Sequence, residues 1–184
     1  MEWMNEPTEW SSNGNALKVV TEASTDFWRV TGEGVDAVRD NGHLFGETIP
    51  GEFDLSVDIR GHFTEQYDHA GVMVRVDDHQ WFKIGIEFFE GIPRFSTVVT
   101  FGYSNWMLSD FPEPFDHLGL RLSHRGDAVE IHRSLNGGPL EFSAHLYLPP
   151  GRPKFAGVMC AAPKGTGFDV IFRNLIITPI ESAP

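Results

Sequence analysis

Along Glu52–Gly61 apolar and polar residues alternate one for one, with Phe53, Leu55, Val57 and Ile59 set against Asp54, Ser56, Asp58 and Arg60. The same period of two recurs through most of the chain. Ala70, Val72, Val74 and Val76 share one parity across residues 69–77. Phe82, Ile84, Ile86 and Phe88 do so across Gln80–Phe89, opposed to Trp81, Lys83, Gly85 and Glu87. Leu118, Leu120 and Leu122, then Val129 and Ile131, continue the pattern, and runs at 17–21, 43–47, 140–147, Lys154–Ala161 and 168–178 complete it. A chain written this way forms strands with one face buried. Turn signals such as Asp40-Asn-Gly, Ile49-Pro-Gly, Glu90-Gly, Arg125-Gly-Asp, Asn136-Gly-Gly-Pro and Pro149-Pro-Gly separate the runs. No stretch keeps a helical apolar period for three turns. Roughly a dozen strands without intervening helices predict an all-β, two-sheet antiparallel jelly-roll sandwich. Such sandwiches close by long-range pairing, so strand 168–178 is expected to return beside an N-terminal strand.

The 184 residues show no composition break, internal repeat or low-complexity segment, and read as one domain over 1–184. Fourteen Lys and Arg against 26 Asp and Glu leave a net charge of −12, which repels phosphate backbones and anionic lipid. Nucleic-acid and membrane partners are therefore not expected. No apolar run approaches the roughly 20 residues of a bilayer span. Cys160 is the single cysteine, so neither an intrachain disulfide nor a cysteine zinc site is available. The start, Met1-Glu-Trp-Met-Asn-Glu-Pro, has no basic and apolar leader pattern, and a cytoplasmic location is the expectation.

Parity constrains one hairpin further. Around Asp77-Asp78, Val72, Val74 and Val76 must share a face with Phe82, Ile84 and Ile86, because a one-residue slip sets apolar against polar. Two registers remain, placing Arg75 opposite Trp81 or Lys83 and Glu87 opposite His69 or Gly71. In both, Met73, Arg75, Trp81, Lys83 and Glu87 share the face away from the core.

At this hairpin the residues become recognisable. The stretches Asp68-His-Ala-Gly-Val-Met-Val-Arg-Val-Asp77, Trp81-Phe-Lys-Ile-Gly-Ile-Glu87, Gly91, Ser96-Thr-Val-Val-Thr100 and Ser104-Asn-Trp106 resemble the regulation-of-enolase-like family. This domain-of-unknown-function group is placed in the concanavalin A-like lectin and glucanase superfamily. Asp26-Phe-Trp28 and Asp40-Asn-Gly-His43 fit it too, so the resemblance covers most of the chain. It implies a jelly roll with one concave sheet, the face that commonly holds carbohydrate in that superfamily. Asn105 departs from the family's usual Ser-Asp-Trp and removes a negative charge there.

Sugar rings present apolar faces to aromatic side chains, while charged and amide groups bind their hydroxyls. Arg75, Trp81, Lys83, Glu87 and Trp106 supply that mixture. Trp106 is expected to overhang the face after a Ser104-Asn105 turn, and Arg121 to join from the strand of Leu120 and Leu122. Gly85 leaves a gap between Lys83 and Glu87 where a ligand or side chain can approach. A carbohydrate or polyol is the expected ligand, and no protein partner is named by the sequence. The alternative is a solvated Arg–Glu–Lys ladder, each pair worth roughly 0.2–1 kcal/mol. A protein-interaction domain would instead expose an apolar patch on the order of several hundred Å².

Glycoside hydrolysis requires two carboxyls, about 5–5.5 Å apart if retaining and roughly 6.5–9.5 Å if inverting. Related glucanases carry Glu-x-Asp-x-x-Glu on one strand, whereas Glu52-Phe-Asp54-Leu-Ser-Val57 ends on valine. Glu87 is the candidate catalytic carboxyl and Glu130 its candidate partner; otherwise both are solvated strand residues. No cofactor is expected. The histidine pairs His62/His69, in a loop with Asp68, and His117/His124, on opposite faces of one strand, lack zinc spacing. No metal is therefore expected, with a loop calcium at Asp77, Asp78 or Asp110 the exception considered. Cys160 lies in an apolar strand and reads as packing.

Overall fold

In the computed structural model, residues 1–32, 34 and 37–180 are described. Sixteen strands and no helix occur among them. In chain order they begin with β1 (Glu2–Met4), β2 (Trp10–Asn13), β3 (Ala16–Val20), β4 (Phe27–Arg29), β5 (Val38–Asp40) and β6 (His43–Ile49). The middle of the chain forms β7 (Glu52–Gly61), β8 (His69–Arg75), β9 (Gln80–Phe89), β10 (Ile92–Phe101) and β11 (Tyr103–Asp110). The remainder forms β12 (Leu118–Arg125), β13 (Ala128–Leu135), β14 (Glu141–Tyr147), β15 (Lys154–Ala161) and β16 (Asp169–Ile180).

Two seven-stranded antiparallel sheets face each other. The first has the order β1-β6-β15-β8-β9-β10-β11 and the second β14-β13-β12-β7-β16-β3-β2, while β4 and β5 form a separate hairpin. The last strand returns between β7 and β3, as the long-range closure requires. Alternation decides which side chains meet between the sheets: Val72, Val74, Phe82, Ile84 and Ile86 pack against Leu55, Val57, Ile59, Leu118, Leu120 and Leu122. Each such side chain, fully buried, contributes roughly 1.5–3 kcal/mol. His124 stacks on Phe53 on the inner side, and Cys160 is buried there with its thiol pushed up to about 12 by desolvation.

The β8–β9 register pairs Arg75 with Trp81, Met73 with Lys83 and His69 with Glu87, the first of the two registers parity allows. His69 is thus a strand residue rather than a loop residue. Ser104 and Asn105 likewise belong to β11; the reversal before them is at Gly102, whose φ of 73° suits glycine.

Much of the outer face of the first sheet is covered rather than open to solvent. The β4–β5 hairpin lies over it and buries Phe27, Leu44, Met73, Trp81, Val98, Met159 and Ala161 in a second apolar cluster. Gly42 permits this, because a Cβ there would stand 2.5 Å from the Phe27 ring. Under the hairpin this face is therefore largely apolar, with the Arg75–Asp40 pair as a charged exception, and beside the hairpin it is charged. No helix among the described residues is long and apolar enough to cross a membrane.

Candidate functional site

The charged part of the covered face begins with a lane of glycines. Gly71 and Gly85 are direct cross-strand partners, and a Cβ on Gly85 would lie 2.2 Å from the Ala70 carbonyl oxygen. With no side chains in this lane, Lys83 runs from its own row to that of His69. A cavity of about 10 Å³ remains there, between Lys83, His69, Ser96 and Met159.

Lys83 Nζ donates to His69 Nε2 at 2.9 Å and to Asp26 Oδ1 at 3.0 Å. His69 Nδ1 lies 2.7 Å from the Tyr67 carbonyl, so that nitrogen carries the proton and Nε2 accepts. Burial pushes the imidazole down to about 4, with the Lys83 ammonium acting in the same direction against Asp26 and the Tyr67 hydrogen bond. His69 is a neutral acceptor at physiological pH.

Asp26 arrives from the segment before β4. The Asn41 side chain accepts from its N–H at 3.0 Å, and its carbonyl accepts from the N–H groups of Asn41 and Gly42. Desolvation raises its carboxyl, but the Lys83 charge and the hydrogen bonds from Lys83 and the Phe27 N–H outweigh it, holding Asp26 below the usual range. Arg39 approaches Asp26 Oδ2 at 4.0 Å.

Glu87 is shifted the other way. Its Oε2 accepts from Ser96 Oγ and, at 3.0 Å, from Trp106 Nε1. Burial raises its carboxyl above the ordinary value despite Lys83 and these donors, and Asp26 adds to the rise. Trp106 is held edge-on by Phe89 at 5.1 Å and by Tyr67 at 6.0 Å.

These groups floor and wall a cleft of about 740 Å³. Asp26, His69, Lys83 and Glu87 lie at its base, and Trp28, Tyr67 and Trp106 supply aromatic walls. Val30 and Tyr67 beside it hold φ values of 64° and 71°, a left-handed conformation costing a bulky residue roughly 1–3 kcal/mol.

Of the residues singled out in the sequence, Lys83, Glu87 and Trp106 meet in this cleft. Arg75 and Trp81 share the face but lie under the hairpin. Arg75 makes a bidentate pair with Asp40, its Nη2 2.8 Å from Oδ2, and Trp81 is 2% exposed against Phe27. Neither is open to a ligand, and the solvated ladder is absent because the face is covered. Arg121 is not part of the site. It lies on β12 in the second sheet, between Ser56 and His132, and its parity opposite Leu120 and Leu122 turns it outward on the far side. Glu130, on β13 of the same sheet, does not meet Glu87 and lies 3.6 Å from His132. The Asp77-Asp78 turn brings Asp77, Asp78 and His79 within 4.8 Å of one another, but Asp77 accepts from Arg152 and the His79 N–H. Asp110 is separate, on β11, and pairs with Arg94.

Asp26, Trp28, Tyr67 and His69 were not singled out as ligand residues. Asp26 and Trp28 stand in the Asp26-Phe-Trp28 stretch that carries the family resemblance, and His69 in the Asp68-His stretch, so a signal was present without an assigned role.

The architecture and the cleft together define a concanavalin A-like β-sandwich with a polar, aromatic-walled depression on one outer face. The chain belongs to the family described as protein of unknown function (DUF1349), whose model matches residues 3–180. It is 30% identical over 176 residues to a Saccharomyces cerevisiae protein named Regulation of enolase protein 1, covering 96% of this chain and 88% of that one. A crystal structure of a functionally unknown S. cerevisiae protein superposes with a TM-score of 0.91 at 29% identity, over 98% of this chain and 97% of that one. A carbohydrate-binding module, CBM66 from Bacillus subtilis, shares the fold with a TM-score of 0.52 at 12% identity, over 88% of this chain and 94% of that one.

Proposed function

We propose that the cleft binds a cytoplasmic carbohydrate or polyol. The carrying observation is its make-up: about 740 Å³, walled by Trp28, Tyr67 and Trp106 and floored by Asp26, Lys83 and Glu87. That volume fits a small-molecule site, and the mixture of aromatic faces with a few placed polar groups suits sugar rings. The floor is fixed before any ligand arrives, since each charged group already has a partner that sets its direction; such preorganisation lowers the cost of binding. The occurrence of this fold in a carbohydrate-binding module supports the reading at the level of architecture.

A glycan array with a thermal-shift screen of monosaccharides, oligosaccharides and polyols tests it. Wild type is expected to gain melting temperature with at least one of them. Trp106→Ala should weaken that binding roughly tenfold, the loss of about 1.4 kcal/mol of stacking and polar contact. A protein that no sugar or polyol stabilises contradicts the proposal.

One observation favours hydrolysis as a second reading. Glu87 is raised and Asp26 lowered in the same cleft, the pattern that separates a proton donor from a base. Here Asp26, not Glu130, is the second carboxylate. Release of nitrophenol from aryl glycosides by wild type, lost in Glu87→Gln, supports this reading; no release from any of them removes it and leaves binding alone.

A further inference from the structure

The two large sheets have four open edges: the first ends on β1 and β11, the second on β2 and β14. An open edge offers unpaired N–H and C=O groups to any other strand, and proteins blunt it by shortness, charge, proline or a bulge. Three of the four edges follow that practice. β1 has three residues and β2 four. β14 carries Glu141 and His145, and a bulge between Ile131 and His132 breaks its pairing with β13. β11 has none of these devices along its length. It runs for eight residues without lysine or proline and keeps unbroken register with β10, from Arg94–Asp110 to Phe101–Tyr103. Its one charge, Asp110, stands at the end and is paired with Arg94.

The chemistry of this edge sets it apart from the rest of the surface. Residues 95–109 are the longest stretch of the chain without a charged side chain, in a molecule of net charge −12. Tyr103 and Met107 on β11 are 63% and 49% exposed. Phe101 and Tyr147 lie 5.9 Å apart, so β14 ends the second sheet on the same side, where Phe142 is exposed as well. Among the described residues no backbone hydrogen bond reaches the free side of β11. Eight residues run about 27 Å, and two sheets about 10 Å apart make the side roughly 20 Å across. Two copies meeting there bury on the order of 1,000 Å², the lower limit of a specific interface. Like charge keeps copies of this chain apart over most of their surface, and a neutral edge is where they can touch.

We infer that two copies of this chain join through their β11 edges, antiparallel about a twofold axis, so that their first sheets become one continuous sheet. Such pairing keeps every side chain on its own face, so only residues of equal parity oppose each other. An axis centred on Asn105 sets Asn105 against its copy and Tyr103 against Met107, apolar on apolar, and leaves Asp110 beyond the paired segment. On the other face Trp106 then stands opposite Ser104 of the second copy. Both residues line the cleft, so the two clefts become neighbours on one surface, each bordered by residues of the other copy. The inference does not depend on what the clefts bind.

Sedimentation velocity of the full chain across the micromolar range tests it, together with cross-linking. Wild type should pass from monomer to dimer with rising concentration, and added salt should favour the dimer by screening the repulsion between two chains of −12. Met107→Lys should weaken association roughly tenfold or more, because each lysine would be desolvated against Tyr103 of the other copy. Met107 is half exposed in the single chain, so near-UV dichroism of the variant should match that of the wild-type monomer. Asn105→Cys should form an interchain disulfide under mild oxidation, since opposed residues on antiparallel strands have Cα atoms roughly 4.5–5.5 Å apart, within disulfide reach. The native Cys160 is buried and does not compete. A chain that stays monomeric at every concentration overturns the inference and leaves the edge to a strand of another protein. A dimer that survives Met107→Lys, or an Asn105→Cys variant that stays unlinked, overturns it as well.

Discussion

Lys83 holds a desolvated ammonium between a neutral imidazole and an ionised carboxylate, at 2.9 and 3.0 Å. Removing one member of such a buried set strands the others, and the penalty comes mainly from the charge left behind. Lys83→Met should cost roughly 3–5 kcal/mol in urea unfolding and raise the Asp26 carboxyl, because the main charge opposing its desolvation is then gone. His69 adds a pH signature. The unfolded imidazole takes its proton near 6.5, whereas the folded one resists until about 4. Between these values the unfolded chain binds more protons, so the contribution of His69 is intact above 6.5 and is lost as the pH falls towards 4. Glu87, raised above its ordinary value, slopes the other way, so the His69 share is read as a difference. The urea midpoint of wild type should fall relative to His69→Gln as the pH is lowered across that window. Parallel curves would show that His69 is not buried in its neutral form.

At the scale of elements, the β4–β5 hairpin turns an outer sheet face into a second core and leaves one cleft beside it. Phe27 is its plug, fully buried against Trp81. Phe27→Ala should cost roughly 3–5 kcal/mol, seen as a lower urea midpoint together with loss of near-UV dichroism from Trp81. An unchanged midpoint would mean the hairpin does not cover the face. This element also marks where sequence reading stops. The β8–β9 hairpin was legible because alternation admits few registers, and parity alone put Lys83 and Glu87 on one surface. The β4–β5 hairpin has only three residues per strand, too few to show a period, and nothing local ties Asp40 to Arg75 or Asp26 to Lys83. Trp81 therefore read as an exposed platform although it is a buried one. In β10, Phe95 and Val99 face one core while Val98 faces the other, so burial on both sides blurs the alternation that marked the simpler strands. Parity also gives Arg121 its outward direction but not its sheet, which only the tertiary order of strands decides.

Over the whole molecule, the two sheets offer very different outer surfaces. The first carries the aromatic-walled cleft; the second carries Arg121, Ser56, Ser123 and Thr178 in an open polar groove of about 390 Å³ without an aromatic wall. Because the two faces lie on opposite sides of the sandwich, a ligand's footprint separates them. The most direct measurement is a ¹H–¹⁵N NMR titration with the tightest-binding sugar or polyol from the screen. The account predicts shifts at the indole N–H groups of Trp106 and Trp28 and at the backbone of Tyr67, His69 and Ser104, with β12, β13 and β16 unmoved. Shifts confined to the outer face of the second sheet, with both indole signals unchanged, would contradict it.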